Sequence, residues 1–342
     1  MSHAPDRTTP AARVFLPLLA LILLAGSLPA GATCGSAQCF LVTGTKEGVL
    51  APREFRVDLS YQDIDQSRRL SGTDSVGEVL TPKIDFEERK IEEKHHREIR
   101  TTNQLVHLSI TAGLTNRMTF AATLPLVNNR DHEHYDDVGA DPNNPGGVFT
   151  RSDDSSGFGD VIVGLRYAFL VRSRSLLLGG LSLKAPTGVY RLHDSEGSIN
   201  EPSIMPGTGS WDWIGSVYCS WQVVPNRGDL FLSGSYRANS KNDLDYRMGD
   251  ATQAHAGYRQ KIGLHGEWSL QVNTRRTERD EYLGEAVHST GYTYVNLSPG
   301  LKRTTDSGTS IYGYVQVPVY QDVNEEQLAP RLALLVGVSR SF

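Results

Sequence analysis

Arg331-Leu-Ala-Leu-Leu-Val-Gly-Val-Ser-Arg-Ser-Phe342 closes the chain, and the rest is read outward from it. Leu332, Leu334, Val336, Val338, Arg340 and Phe342 fall on one side of an extended strand. Ala333, Leu335, Gly337, Ser339 and Ser341 fall on the other. Period two marks a strand whose faces meet different surroundings. The apolar face ends on an aromatic, and Arg340 sits where a long aliphatic stem lets its charge reach an interface. A soluble sandwich ending in a strand has no need of a terminal aromatic.

The same alternation recurs, about twelve times in all, near 54–63, 101–114, 117–128, 158–170, 174–187, 210–223, 228–238, 252–263, 266–277, 290–303, 309–320 and 330–342. Val161, Val163, Leu165, Tyr167 and Phe169 are interleaved with Asp160, Gly164 and Arg166; Trp211, Trp213, Val217 and Trp221 with Asp212, Ser216, Ser220 and Gln222. Lipid outside and water inside would demand this division. Connection lengths test the idea independently. Short ones at Thr115-Asn116, Val171 to Ser173, Val224 to Arg227, Leu264-His265 and Thr304 to Gly308 alternate with long ones near 64–100, 129–157, 188–209, 239–251, 278–289 and 321–329. Short turns at one end and long loops at the other are the pattern of outer-membrane barrels. Pro125, Pro186 and Pro318 fall late in outward-running strands, where a missing N–H costs least. The fold expected is all-β: a transmembrane antiparallel up-and-down β-barrel of about twelve strands over 54–342, with both termini periplasmic because the count is even.

Composition agrees. A mean hydropathy of −0.34 argues only against helical spans, since a barrel strand is apolar at alternate positions. The net charge of −5, without a basic cluster in the mature chain, excludes nucleic acid as a partner. Arg7 and Arg13, the apolar run Val14 to Ala25 and the small-x-small site Ala30-Gly31-Ala32 read as a secretory signal peptide over 1–32, with a periplasmic segment at 33–53. Cys34 and Cys39, in an oxidising compartment, are expected to form a disulfide closing a small loop. Cys219, on the apolar face of its strand, reads as a small hydrophobe.

Two groups of residues could carry function. Arg56, Arg166, Lys184, Arg237, Arg259, Lys261, Arg275 and Lys302 are assigned to the lumen, against Asp58, Asp160, Asp212 and Glu267. Twelve strands enclose a narrow space, so these charges would give either a constricted pore with modest anion preference or a salt-bridged plug. Extending the hairpin about Thr115-Asn116 outward brings Glu92, Glu93, His95 and His96 alongside Asp131, His132, Glu133, His134, Asp136 and Asp137. Imidazoles with carboxylates could bind a transition metal at the rim, through His95, His96, His132, His134 and Asp136, or Ca²⁺ through the carboxylates, or the group could be a solvated charged loop. On the simplest register His132 and His134 point outward, so a bulge must turn them towards His95. Neither a Gly-x-Ser-x-Gly elbow nor a His-Glu-x-x-His helix is present to suggest an enzyme, and no cofactor is expected.

Gly157-Phe-Gly-Asp-Val-Ile-Val-Gly-Leu-Arg-Tyr167, Leu183-Lys-Ala-Pro-Thr-Gly188 and Gly207-Thr-Gly-Ser-Trp-Asp-Trp213, in this order and spacing, resemble the "Putative MetA-pathway of phenol degradation" family of outer-membrane transporters. The likeness covers roughly 100 to 342, and the charged stretch Gln66 to Arg100 departs from it. It implies a link to uptake of aromatic compounds and carries over no site residues. The terminal strand likewise resembles those whose final aromatic is read by the barrel assembly machinery. The expected function is a porin-like channel or transporter for passive passage of small solutes, aromatic compounds among them. A scaffold barrel around a periplasmic or surface partner, or an outer-membrane hydrolase, is the alternative. Outer-membrane lipid, lipopolysaccharide, the assembly machinery and the solute are the expected partners, and the oligomeric state is open. If Phe342 is the assembly signal, Phe342→Asp lowers the amount of barrel reaching the outer membrane more than it changes the heat resistance of barrel already folded. Membrane fractionation beside a heat-modifiable gel measures both, and normal yield of the variant would refute the assignment.

Overall fold

The computed structural model describes residues 48–139, 144–193 and 197–342, with backbone alone at 152–154. The leader, the signal cleavage site and the Cys34–Cys39 pair lie outside the described residues. Twelve long strands form the wall: β1 (Phe55–Ser71), β2 (Lys90–Gly113), β3 (Met118–Asp136), β4 (Val161–Arg172), β5 (Ser175–Ala185), β6 (Asp212–Val224), β7 (Gly228–Ala238), β8 (Ala251–Ile262), β9 (Gly266–Thr277), β10 (Tyr292–Thr304), β11 (Thr309–Val323) and β12 (Glu326–Ser341). Each pairs antiparallel with the next, and β12 returns to β1 with Leu59 opposite Val338. In hydrocarbon an open edge would leave a row of unpaired backbone groups, so closure is what permits insertion. The alternation expected from the sequence sorts the faces. Leu165, Tyr167 and Phe169 on β4, and Leu332, Leu334, Val336, Val338 and Phe342 at the end of the chain, are exposed; Ser60, Gln271, Asn273 and Ser298 are buried within. An apolar exterior around a polar interior inverts a soluble domain and is the arrangement of an outer-membrane barrel.

The strands differ from expectation mainly at their outer ends. A bilayer needs about 9–11 residues of tilted strand, yet β2 has 24 and β3 has 19. Most of the expected loops 64–100 and 129–157 is therefore wall standing above the lipid, continued by Leu80–Asp85 on β2 and by Val148–Gly157 on β3. The outward faces there carry ion pairs, Arg100–Asp65 at 2.9 Å and Arg151–Asp131 at 2.6 Å. With water on the outside as well, the apolar alternation disappears, and with it the signal for a strand. The expected long connection 321–329 shrinks to Asn324-Glu325, between Val323 and Glu326, with Glu325 at φ 45°. Pro125 and Pro318 mark bulges rather than strand ends. Pro125 faces His107 while Val106 faces Val127, and Pro318 faces Asn296 while Val295 faces Tyr320. The extra residue of a bulge absorbs the hydrogen bond that proline cannot donate.

The connection after Ala185 turns inward over its described residues 197–211. Pro202, which opens the helical turn Pro202–Ile204, and the following Met205 and Pro206 face the lumen cavity. Inward side chains of β3 hold it: Asn128 Nδ2 donates to the Pro206 carbonyl at 2.7 Å, and the buried Arg130 guanidinium donates to the Ser203 carbonyl. Lys184 pins its two ends. The ammonium lies 2.7 Å from Asp160 and 2.8 Å from Asp212, and Asp160 accepts the backbone N–H groups of Gly188 and Thr208, both at 2.9 Å. Further out, Ile84, Tyr246, Tyr282 and Val287 form one apolar cluster. Ile84 follows β1 whereas Tyr246 follows β7, on the opposite side of a twelve-stranded ring, so their contact covers the outer mouth.

Lys184 is 1% exposed, so removing it leaves two buried carboxylates without their shared cation. Lys184→Met should cost about 3–5 kcal/mol. The expected outcome is a lower temperature for loss of the folded band in heat-modifiable electrophoresis, partly restored in Lys184→Met/Asp160→Asn.

Candidate functional site

The barrel encloses a cavity of about 410 Å³. Gln62, His107, Arg166, Arg237, Gln253 and His255 supply polar atoms to its lining, and Leu178, Met205, Pro206 and Met248 supply apolar surface. Of the lumen residues read from the sequence, Asp160, Arg166, Lys184 and Arg237 line this space. Arg275 is buried on β9, near Arg237. Arg56, Arg259, Lys261 and Lys302 gather with Glu267 nearer the end of the barrel that carries the short turns, where Arg259 also meets Asp229 at 3.2 Å. Asp58 there accepts the Tyr312 hydroxyl at 2.8 Å. Asp160 and Lys184, which line the cavity, also engage each other, Asp212 and the inward connection. The sequence shows which face they occupy; that a loop folds back to cover them is a matter of tertiary structure.

The rim histidines come together. β2 and β3 are joined by a four-residue turn, Leu114 to Arg117, instead of the two-residue turn expected. Below the Pro125 bulge the inward residues of β3 are odd-numbered, as at Thr119; above it they are even-numbered, as at Asn128, Arg130, His132 and His134. A second bulge, between Glu98 and Arg100, changes the inward set on β2, leaving His96 and Glu98 inside above it and Thr101 and Asn103 below. His132 and His134 therefore face in, against the simplest register, because each bulge moves the following side chains to the other face. The imidazoles of His95, His96, His134 and His132 form a contact chain with centroid spacings of 4.8, 4.7 and 4.6 Å.

Carboxylates surround this chain. His96 Nε2 lies 2.7 Å from Asp136 Oδ1, and its Nδ1 faces Glu201 of the inward connection. His134 Nε2 is 3.1 Å from the same Asp136 oxygen, and His95 Nε2 is 2.9 Å from Asp137. His132 Nδ1 contacts the Thr101 hydroxyl at 2.8 Å, with Glu98 on its other side at 3.4 Å. These groups stand in the part of the wall that rises above the lipid. Burial opposes charge on His96, but Glu201 and Asp136 outweigh it and push its pKa up to about 10. Burial likewise opposes charge on Glu201, yet His96 holds that carboxyl down at about 2. Burial lowers the pKa of both His95 and His132, favouring neutral imidazole. The cluster thus places one shared positive charge among buried carboxylates, with neutral imidazoles beside it. A metal ion could hold this set together only in place of the proton that carries this charge, which leaves each imidazole neutral and able to coordinate. Glu98, Arg130 and Glu201 were not singled out in the sequence. The polar alternation Asn128, Arg130, His132, His134 is a usable sign that the strand continues, whereas nothing local marks Glu201 as entering the lumen.

Comparison with known proteins places these features. No curated protein matches the chain. Among solved structures, the fold is similar to that of the COG4313 outer membrane channel from Pseudomonas putida F1, with a TM-score of 0.61 and 12% identity over 88% of this chain and 100% of that one. A looser likeness, with a TM-score of 0.43 and 11% identity, links it to the Pseudomonas putida toluene transporter TodX over 85% of this chain and 90% of that one. Residues 90–329 match the family described as "Putative MetA-pathway of phenol degradation". That span contains all three motifs read from the sequence and most of the wall, and the chain belongs to this family of outer-membrane β-barrel proteins.

Proposed function

We propose that the protein is a passive channel for small organic anions, aromatic ones included, with both termini in the periplasm. The carrying observation is the cavity of about 410 Å³ inside a closed barrel, because its walls combine Arg166, Arg237 and His255 with Leu178, Met205 and Met248. Cavities of about 300–1,000 Å³ suit small ligands, and this mixture offers charge to an anionic group and apolar contact to the body that bears it. Towards the periplasm, Arg56, Arg166, Arg259, Lys261 and Lys302 face Asp58, Asp229 and Glu267, an excess of positive charge at the exit. Like charges along a narrow path raise the local concentration of counter-ions, and salt screens the effect. Likeness to a protein described as an outer membrane channel supports a transporter rather than an enzyme.

Purified protein in planar bilayers, under a salt gradient, should give a reversal potential of weak anion preference. Arg166→Glu combined with Arg259→Glu should move that potential towards cations, and strong cation preference in the unmutated protein would refute the reading.

The apolar cap at the outer mouth generates a second expectation. Tyr246 and Tyr282 are almost wholly buried where connections from opposite sides meet, so truncating both removes contacts that hold the cap closed. Tyr246→Ala/Tyr282→Ala should raise single-channel conductance, or the fraction of time spent open, with selectivity unchanged. Unaltered conductance would show that solutes do not pass beneath this cluster.

A further inference from the structure

Asp136 Oδ1 is a point of convergence. His96 Nε2 lies 2.7 Å from it, His134 Nε2 3.1 Å and His95 Nδ1 4.0 Å, so nitrogens from three imidazoles point at one carboxylate oxygen. The side chains of His96 and His134 are only 4% and 6% exposed. His95 Nδ1 and His134 Nδ1 are buried without a hydrogen-bond partner, while His96 Nδ1 is taken up by Glu201. Burying a polar atom unpaired is costly, and His95 Nδ1 gains a partner if an ion sits beside Asp136 Oδ1.

We infer that the outer rim is a transition-metal site in which His95 Nδ1, His96 Nε2, His134 Nε2 and Asp136 bind one ion such as Zn²⁺. The outer partners of His95 and His96 have the arrangement such a site needs. A ligating histidine usually donates its second N–H to a carboxylate, which fixes the tautomer and orients the ring. His95 Nε2 faces Asp137 at 2.9 Å and Glu92 at 3.3 Å, which leaves Nδ1 with its lone pair towards Asp136. His96 Nδ1 faces Glu201, which leaves Nε2 towards the same oxygen. Three nitrogens and one carboxylate oxygen, without thiolate, suit Zn²⁺ or Cu²⁺ better than Ca²⁺ or Mg²⁺. One potential ligand atom each from His95, His96 and Asp136 lie within 4.8 Å of one another. Ligand atoms around tetrahedral zinc stand about 3.4 Å apart, and His134 Nε2, 3.1 Å from Asp136, supplies the fourth ligand after side-chain rotation. The ion has a way in past Asp137, which is 51% exposed beside His95. Glu201 adds a consequence. It reaches the site from the connection that fills the lumen, so the bound ion ties that connection to the wall through His96.

The test uses the whole protein, purified in detergent, freed of metal with a chelator and titrated with Zn²⁺ in a calorimeter. One ion should bind per chain. His96→Gln and Asp136→Asn should each weaken binding by about tenfold or more, with the heat-modifiable band retained. His265→Ala, at a distant turn where His265 meets Asp306 at 2.7 Å, should bind as the unmutated protein does. Absence of saturable binding, equal binding by the His96 and Asp136 variants, or loss of binding in His265→Ala would overturn the site. Because buried substitutions can block assembly, crystals of unmutated protein soaked in Zn²⁺ give a reading that needs no variant. Anomalous density at the zinc edge beside Asp136 supports the assignment, and density elsewhere or none overturns it.

Discussion

A strand that enters hydrocarbon must place every backbone N–H and C=O on a neighbour, and in this protein the last of that demand is met between β1 and β12. The pairing runs without a slip from Arg56 opposite Ser341 to Asp65 opposite Leu332. At its foot the Phe55 N–H donates to the Phe342 carbonyl at 3.2 Å, and the Phe342 N–H donates back to Phe55 at 2.8 Å. The two rings stack at 5.1 Å on the outer face. The terminal aromatic is thus part of the seam itself. Without this seam both edge strands would expose open ladders to lipid, and no arrangement of side chains could compensate.

Closure on twelve strands sets the width, and the width sets what the interior can be. Strands about 4.8 Å apart and tilted by about 40° give opposite backbones roughly 24 Å apart, from which side chains on both walls must be subtracted. Little room remains, and the inward connection takes much of it. The buried charges there are neutralised locally: Lys184 lies between Asp160 and Asp212, and Arg237 stands near both carboxylates. Tyr292 and Tyr294, stacked at 4.0 Å, join Ile64, Leu70 and Leu105 in an apolar cluster on the inner wall, which a water-filled barrel would not contain. The cavity between these fillings is what is left for a solute.

The rim depends on a smaller constraint, the strict alternation of side chains along a strand. One extra residue moves every later side chain to the opposite face. The bulge at Pro125 carries Asn128, Arg130, His132 and His134 inward together, and the bulge at Ile99 does the same for His96 and Glu98. Two irregularities therefore create both the anchor of the inward connection and the histidine cluster above it. Asn128 and Arg130 hold Pro206 and Ser203, while His96 meets Glu201 a few residues earlier in the same connection. Loop and rim are coupled because both attach to one face of β3.

The sequence by itself determined the barrel, its twelve strands and the sorting of residues such as Leu165 and Arg166 between lipid and lumen. Each of these follows from period two, which is written locally wherever one face of the strand meets hydrocarbon. It also brought the segments containing His95, His96, His132 and His134 alongside one another, since a hairpin pairs what its turn aligns. Only the tertiary structure decided which way His132 and His134 point, that 64–100 is largely wall, and that Glu201 and Lys184 belong to an inward-folded connection. Above the lipid both faces of a strand meet polar surroundings and the alternation no longer reports burial. A bulge reverses facing through a single backbone step, and a loop's path into the lumen is chosen by partners such as Arg130 and Asp160, which are distant from it in the chain.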